Sequence, residues 1–320
     1  MSELAVVGAG AWGTALALQA ARAGRQVTLW ARNPALVAAL RQGQENPRLP
    51  GVMVPASVQV TETLPRARLV LLAVPMQHLR AVAALLPPAG PLVACAKGME
   101  AETLALPLEV LDAVQPRRMA GVLTGPNFAR EIAAGLPAAT VIAAADSGLR
   151  AAVMQALATP SFRLYGNDDP VGAEVGGAAK NVVAIAAGAV IGAGLGENAR
   201  AALITRGVAE LGRLAEALGG RAETVAGLSG LGDLLLTCTS RASRNFSLGE
   251  ALGRGERLAD ILAGRTVATE GVTTAPALVA RAARAGVAVP VCTAVAGVLT
   301  GRITLDQAMA ALLSRPLRDE

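Results

Sequence analysis

The two lysines of the chain are its first candidates for proton-transfer chemistry. Of the 29 lysine and arginine residues, only Lys97 and Lys180 are lysine. A guanidinium stays charged at any working pH, whereas a lysine amine can release and take up a proton. Two lysines among 29 basic residues can also occur by chance. The residues around each lysine must therefore show whether it has a chemical role.

A glycine-rich motif near the N-terminus predicts a dinucleotide site. An apolar strand, Leu4 to Val7, leads into Gly8-Ala9-Gly10-Ala11-Trp12-Gly13 and then into a helical stretch. Gly8 allows the tight turn, Gly10 lets the backbone approach a pyrophosphate, and Gly13 lets helix and strand pack closely. Glycines of this kind can serve a turn alone, but the strand before them and the helix after them favour a dinucleotide.

The end of the second predicted strand indicates which dinucleotide binds. An acidic residue there would hold the ribose 2′-hydroxyl of NAD. The stretch Leu29-Trp30-Ala31-Arg32-Asn33 has no carboxylate, and Arg32 can form charge-assisted hydrogen bonds to a 2′-phosphate. We therefore expect NADP as the cofactor, with NAD possible. An ordinary surface arginine is the alternative.

Three more polar motifs lie where a substrate could be bound. Lys97 follows an apolar strand in Cys95-Ala96-Lys97-Gly98, and Gly125-Pro126-Asn127-Phe128-Ala129 follows another. Side chains at the carboxyl ends of strands in a parallel sheet face the ligand crevice. Ser243-Arg244-Asn245 offers a hydroxyl, a guanidinium and an amide in sequence, which suits a phosphate. Each loop can also be an exposed or structural turn.

The elements that must position these residues form an α/β fold with two domains. A β-α-β rhythm through residue 170 predicts a Rossmann-type doubly wound parallel sheet, and residues 171–320 predict an all-α C-terminal domain. The expected strands are Leu4–Val7, Val27–Trp30, Leu69–Val74, Leu92–Ala96, Gly121–Thr124, Ala139–Ala143 and Phe162–Tyr165. We assign dinucleotide binding to residues 1–170 and substrate binding to residues 171–320.

The start of the second domain is unusual in its small residues. Glycine or alanine recurs every fourth residue from Gly172 to Gly196, with Lys180 interrupting the series, which predicts a stripe on one helix face. Close helix packing explains the glycines but not the lysine. The apolar part of this segment is shorter than a bilayer requires, so we expect a buried helix and no membrane span.

Composition excludes several other classes of protein. The 320 residues are 53% hydrophobic and 17% charged, which fits large folded units. One histidine and three separated cysteines predict no metal site, and 2% aromatic residues with scattered arginines argue against nucleic acid. No signal peptide is recognisable, so we expect a cytoplasmic protein.

Taken together, these motifs resemble those of the bacterial NAD(P)-dependent glycerol-3-phosphate dehydrogenases over nearly the whole chain. The matching blocks are GAGAWGT at Gly8, ACAKG at Ala94, GPNFA at Gly125, EVGGAAKNVVAIAAG at Glu174, GLGDL at Gly230, SRNF at Ser243 and EGV at Glu270. The resemblance implies an oxidoreductase that interconverts sn-glycerol 3-phosphate and dihydroxyacetone phosphate and supplies glycerophospholipid synthesis.

The resemblance also implies roles for individual residues. Lys180 would be the catalytic acid and base for hydride transfer at C2. The substrate residues would be Lys97, Gly125, Asn127, Lys180, Asp233, Ser243, Arg244 and Asn245. The cofactor residues would be Gly8, Gly10, Ala11, Trp12, Gly13, Arg32, Lys97, Ala129, Arg244, Ala268 and Glu270. Asn127 departs from the hydroxyl residue usual in the family, and Asp233 would orient a lysine or a substrate hydroxyl.

Two other functions remain open at this point. A β-hydroxyacid or phosphogluconate-type NADP dehydrogenase would share the cofactor domain and a lysine on a helix, although the Ser-Arg-Asn block argues against it. An NADP-binding regulator without catalysis is the other. The expected partner is a phosphorylated small molecule, and a homodimer is possible.

The cofactor assignment generates a first prediction. Arg32→Ala is expected to raise the KM for NADPH roughly tenfold, because charge-assisted hydrogen bonds to the 2′-phosphate are lost. The KM for NADH should change little. Steady-state kinetics with both cofactors makes the comparison, and an unchanged NADPH value contradicts the assignment.

Overall fold

The computed structural model describes residues 2–265 and 269–314, which fall into two compact units. The first unit comprises Met1–Lys97 and Ala105–Ala173, and the second comprises Gly98–Leu104 and Glu174–Glu320. The functional division into domains 1–170 and 171–320 stays a prediction. Ala268, a predicted cofactor residue, lies outside the described residues.

The first unit is built on one eight-stranded sheet with the strand order β3-β2-β1-β4-β5-β6-β7-β8. Its strands are β1 Ser2–Val7, β2 Val27–Trp30, β3 Val58–Thr61, β4 Ala67–Leu72, β5 Leu92–Ala94, β6 Ala120–Thr124, β7 Ala138–Ala143 and β8 Phe162–Asn167. Its helices are α1 Ala11–Arg22, α2 Pro34–Arg41, α3 Met76–Ala84, α4 Pro107–Val114, α5 Ala129–Ala134 and α6 Ser147–Leu157.

Helices cover both faces of this sheet, as the predicted doubly wound fold requires. Leu4 and Val6 of β1 pack into one apolar cluster, whereas Ala5 and Val7 pack into another. Successive residues of a strand point to opposite faces, so a strand buried on both sides must be apolar throughout. The α/β fold class predicted from the sequence is confirmed.

The sheet differs from the prediction in two ways. The strand β3 was not predicted, because it is a short edge strand with an exposed Gln59 that interrupts its apolar character. The pair β6 and β7 is antiparallel, with Leu123 opposite Ile142, whereas we expected parallel strands throughout. An apolar strand that is buried on both faces has the same composition in either direction, so this reversal leaves no sequence signal.

The second unit is helical, and its described residues contain no strand. The helix α7, Pro170–Gly192, begins in the first unit and continues in the second. The further helices are α8 Gly196–Ala217, α9 Ala222–Ala226, α10 Asp233–Cys238, α11 Arg244–Gly253, α12 Leu258–Ala263, α13 Glu270–Arg284, α14 Pro290–Leu299 and α15 Leu305–Leu313. A π-helical turn, Leu228–Gly232, precedes α10.

Close backbone packing explains part of the predicted small-residue stripe. The stripe ends with α7 at Gly192 and does not reach Gly196, which has φ +83° and begins α8. A Cβ atom on Gly188 would lie 2.0 Å from the carbonyl oxygen of Phe246, and one on Gly192 would lie 2.1 Å from that of Glu250. On the facing helix α11, a Cβ on Gly249 would lie 1.9 Å from the carbonyl oxygen of Ile185. Glycines on both helices therefore let α7 and α11 meet backbone to backbone.

Among the described residues, α7 is the one helix long and apolar enough to cross a bilayer, so the expectation that its apolar part is too short is wrong. In its most apolar 18-residue window, 89% of the residues are buried inside the structure. Burial of this kind is typical of a core helix, which can be as long and as apolar as a membrane-spanning helix.

Candidate active site

The glycine-rich turn after β1 has the shape that a dinucleotide diphosphate requires. Gly8 has φ +114°, and a Cβ there would lie 2.6 Å from the carbonyl oxygen of Ala73. A Cβ on Gly13 would lie 1.8 Å from the carbonyl oxygen of Gly8, so both positions need glycine. Among the described residues, no atom outside the chain neighbours of Gly10 and the backbone of α1 lies within 4 Å of a Cβ built on Gly10, the N-cap of α1. The turn therefore leaves room beside Gly10 and fits the predicted cofactor.

The start of α1 also suits an anionic group. The N-cap Gly10 supplies no side-chain hydrogen bond, and the first turn holds no acidic residue. The N–H groups of such a turn are natural donors to a phosphate. Ala11 and Trp12 are the first two helical residues, and the buried Nε1 of Trp12 has no hydrogen-bond partner within the described part of the chain.

Asn46, which the sequence reading did not identify, holds this turn in place. Its fully buried Nδ2 donates to the carbonyl oxygen of Ala9 at 3.1 Å and to Oγ1 of Thr14 at 2.7 Å. Its Oδ1 accepts a bond from the N–H of Arg48 at 3.0 Å. No local motif marks Asn46, because its two acceptors in this turn lie 37 and 32 residues earlier in the chain.

The other predicted residues of the first unit lie at the same edge of its sheet. The strands β1, β2, β5 and β6 run in one direction, so their carboxyl ends share an edge. Arg32 is exposed just after β2, Lys97 follows β5, and Ala129 opens α5. The Nζ of Lys97 donates a hydrogen bond to the carbonyl oxygen of Gly125 at 2.9 Å.

A short hydrogen-bond chain surrounds Asn127 behind this edge. Its Nδ2 donates to Oγ1 of Thr140 at 2.9 Å, and that hydroxyl donates to the carbonyl oxygen of Thr124 at 3.0 Å. Two buried polar atoms here, Oδ1 of Asn127 and Oγ1 of Thr124, have no hydrogen-bond partner among the described residues. The loop thus holds buried polar atoms that can still bond a ligand.

In the second unit, Lys180 is buried against a carboxylate. Its Nζ donates to Oδ1 of Asp233 at 2.5 Å and to Oγ1 of Thr237 at 3.2 Å. The residue Lys180 is 8% exposed and Asp233 is fully buried. The hydroxyl of Thr237 donates to the backbone carbonyl of Asp233 at 2.6 Å, so toward Lys180 it can only accept. Of the two roles predicted for Asp233, this contact favours orientation of a lysine.

The backbone places this pair through one close contact between glycines. A Cβ on Gly176 would lie 2.8 Å from the Cα of Gly230, which begins the GLGDL block. Lys180 lies one helical turn after Gly176, and Asp233 lies at the start of α10, three residues after Gly230. Thr237, one turn further along α10, was missed by the sequence reading, although its spacing of four from Asp233 places both on one face.

The Ser-Arg-Asn block begins α11. Ser243 is the N-cap, and its Oγ accepts the N–H of Phe246 at 3.2 Å. Arg244 is exposed in the first turn, which contains no acidic residue, so this helix end favours an anion.

Asn245 is buried and engaged in structural hydrogen bonds. Its Nδ2 donates to Oδ1 of Asn181 at 2.8 Å, and its Oδ1 accepts the N–H of Gly271 at 3.1 Å. The side chain links α7, α11 and the start of α13, where Glu270 is the first helical residue. Contact between Asn245 and a substrate stays a prediction.

Arg265 is a further residue that the sequence reading missed. Its Nη1 donates to the carbonyl oxygen of Arg244 at 2.7 Å, and its Nη2 donates to Oγ of Ser247 at 3.0 Å. Partial burial and the positive charge of Arg244 lower the pKa of Arg265 from its ordinary value. The guanidinium thus fixes the first turn of α11.

The three cysteines are buried and form no disulfide. Burial raises the pKa of Cys95 and of Cys238 to about 12, and it raises the pKa of Cys292 well above its ordinary value. These thiols stay protonated near neutral pH, which argues against a thiolate nucleophile. Within the described ranges, no group of three His, Cys, Asp or Glu residues is arranged to hold a metal ion.

Comparison with known proteins gives a consistent family. The model of the NAD-dependent glycerol-3-phosphate dehydrogenase N-terminus matches residues 3–150, and that of the C-terminus matches residues 169–310. The NAD(P)+ glycerol-3-phosphate dehydrogenase of Acidiphilium cryptum is 59% identical over 99% of this chain and 98% of that protein. The Gluconobacter oxydans enzyme of the same name is 54% identical over 98% and 97%.

A solved structure agrees with these sequence matches. The crystal structure of glycerol-3-phosphate dehydrogenase from Coxiella burnetii superposes with a TM-score of 0.93 at 36% sequence identity. The match covers 98% of this chain and 99% of that one.

The geometry of the glycine-rich turn generates a second prediction, which separates folding from cofactor binding. Gly13→Ala should lower stability by about 1–3 kcal/mol or more, because its Cβ would overlap the backbone of Gly8. Gly10→Ala should fold like the wild type, since its Cβ meets no atom of another described segment. It should bind NADPH at least roughly tenfold more weakly, because the diphosphate must approach that backbone.

Thermal unfolding and NADPH fluorescence titration of both variants distinguish the two effects. Wild-type NADPH affinity in Gly10→Ala would show that the diphosphate does not approach this turn.

Proposed function

The chain belongs to the NAD-dependent glycerol-3-phosphate dehydrogenase family, and from this premise we propose that it interconverts sn-glycerol 3-phosphate and dihydroxyacetone phosphate with NAD(P)(H). The observation that carries the mechanism is the buried contact of Lys180 with Asp233 and Thr237. It places a proton-bearing amine in a fixed orientation, which a general acid requires.

The first unit holds the cofactor in this proposal. The backbone beside Gly10 and the first N–H groups of α1 bind the diphosphate, and Arg32 binds the adenosine end. The bound nicotinamide, when reduced, supplies a hydride to C2 of the ketone. Selection of NADP over NAD through the exposed guanidinium of Arg32 is part of the proposal.

Lys180 moves the proton at the substrate oxygen. As C2 gains a hydride, the π electron pair of the carbonyl moves onto oxygen, which takes a proton from Nζ of Lys180. The amine is left neutral beside the Asp233 carboxylate. In the oxidation direction the neutral amine removes the same proton from the hydroxyl.

Asp233 and Thr237 determine how that ammonium is oriented. Each accepts one of its hydrogen bonds, and the carboxylate offsets the cost of burying the positive charge. Because the side chain is held between two partners, its orientation is fixed with little loss of entropy during the reaction.

The phosphate of the substrate binds at the start of α11. Arg244 supplies a guanidinium, Ser243 a hydroxyl and the helix end its partial positive charge. Arg265 holds the backbone of Arg244 and so maintains this arrangement. Binding energy from a remote phosphate orients the carbonyl, so it raises turnover as well as affinity.

Lys97, Gly125 and Asn127 are the remaining substrate contacts that we propose, with Lys97 and Ala129 also facing the cofactor. The ammonium of Lys97 is held by the carbonyl oxygen of Gly125. A second positive charge balances the anionic substrate.

The phosphogluconate-type alternative is not favoured, because both family models and the long sequence matches are those of glycerol-3-phosphate dehydrogenases. Supply of glycerol 3-phosphate to phospholipid synthesis is the proposed role. The cytoplasmic location and a homodimer stay predictions.

A third prediction tests the role of Lys180. Lys180→Met should lower kcat for dihydroxyacetone phosphate by roughly 10²–10⁴-fold, because the proton donor is lost. Lys180→Arg should be nearly as damaging, since a guanidinium does not release its proton at neutral pH.

Steady-state kinetics with NADPH and with NADH measures both variants. The exposed Arg213→Met on α8 is the control and should behave like the wild type. Near-wild-type turnover by Lys180→Met with intact cofactor binding rules out the proton-transfer role. If the wild type binds NADPH but oxidises it with none of a panel of small carbonyl compounds, the alternative of an NADP-binding regulator without catalysis is favoured instead.

A further inference from the structure

A buried threonine on β7 controls the direction of the hydrogen bonds around Asn127. Thr140 is fully buried, and its Oγ1 lies 3.0 Å from the carbonyl oxygen of Thr124 and 2.9 Å from Nδ2 of Asn127. No sequence motif marks Thr140 as a functional residue. Both contacts lie within the first unit, behind the carboxyl edge of the sheet.

The chemistry of these groups allows one arrangement of protons. A hydroxyl has a single proton, and a carbonyl oxygen can only accept. The bond from Thr140 to the Thr124 carbonyl therefore uses the one proton of Thr140. Toward Asn127 the hydroxyl can only accept, so the amide must present its Nδ2 to Thr140 and direct its Oδ1 elsewhere.

In this arrangement the amide oxygen of Asn127 receives no hydrogen bond from a described residue. Oδ1 of Asn127 is buried and lacks a hydrogen-bond partner within residues 2–265 and 269–314. A buried acceptor without a donor costs roughly 1–3 kcal/mol. A ligand that brings a hydroxyl donor removes that cost, whereas a ligand without one does not.

The loop that carries Asn127 is held at two successive carbonyl groups. Thr140 donates to the carbonyl oxygen of Thr124, and Lys97 donates to that of Gly125. A Cβ on Gly125 would lie 3.1 Å from the Cα of Thr140, so loop and strand are in direct contact. Thr140 therefore determines both the position of Asn127 and which atom of its amide group faces the threonine.

We propose that Thr140 is a positioning residue that fixes the amide of Asn127 as a hydrogen-bond acceptor, and that this acceptor selects a ketone phosphate with a hydroxyl donor beside its carbonyl. The inference rests on the proposed function, in which the C1 hydroxyl of dihydroxyacetone phosphate supplies the donor. It also explains how an amide can serve where the family usually has a hydroxyl residue.

The test compares dihydroxyacetone phosphate with hydroxyacetone phosphate, which lacks only the C1 hydroxyl. The measured quantity is the ratio of their kcat/KM values, because a general structural defect lowers both values together. We expect the wild type to prefer dihydroxyacetone phosphate at least roughly tenfold. Thr140→Val should reduce this preference by roughly fivefold, since the amide loses its fixed orientation.

Two control variants separate the hydroxyl from the packing around it. Thr140→Ser keeps the hydroxyl and should keep the wild-type ratio. Thr28→Val removes another buried hydroxyl of the same sheet, which bonds Gln59, and should also keep it. Should Thr140→Val fail to fold, Asn127→Leu removes the acceptor directly and should lower the preference by the same factor.

The outcomes distinguish this inference from the proposed function. No turnover of dihydroxyacetone phosphate by the wild type overturns both. Turnover of both ketones at equal kcat/KM, or an unchanged ratio in folded Thr140→Val or in Asn127→Leu, overturns the selection by Asn127 and leaves the dehydrogenase activity standing.

Discussion

The contact on which the proposed chemistry depends is the buried pair of Lys180 and Asp233. Either charge alone would cost several kcal/mol to bury, and together they persist because each offsets the other and Thr237 accepts a further bond. The pair can form only if α7 and the segment before α10 approach at backbone distance. Glycine at 176 and 230 permits that approach, so the position of the proton donor depends on a glycine of the small-residue stripe.

The sheet of the first unit meets a different constraint, which is to bring backbone groups close to a phosphate without side chains intervening. Gly8 and Gly13 fit where any Cβ would overlap the main chain, and Asn46 donates a hydrogen bond to the carbonyl oxygen of Ala9 within the turn. Parallel strands then place Arg32 and Lys97 at the same edge. The proposed cofactor site thus depends on strand direction and on glycines at the turn.

Local sequence patterns predicted much of the fold and of the candidate site. The glycine motif, the buried strands and the lysine within the stripe each carry their signal within a few residues. Thr140 and Asn46 could not be found in this way, because their partners lie 13 to 37 residues away. The reversed strand β7 left no signal either, since a buried apolar strand fits in both directions.

Chemical rescue is the most direct test of the claim that the amine of Lys180 transfers the proton. Lys180→Ala removes the atoms of propylamine and leaves Asp233 to bind an added amine. With dihydroxyacetone phosphate and NADPH, propylamine should restore turnover in a saturable manner, and the rescued rate should vary with the basicity of the amine. A variant that binds both substrates but gains no activity from any amine, or that retains wild-type turnover, contradicts the account.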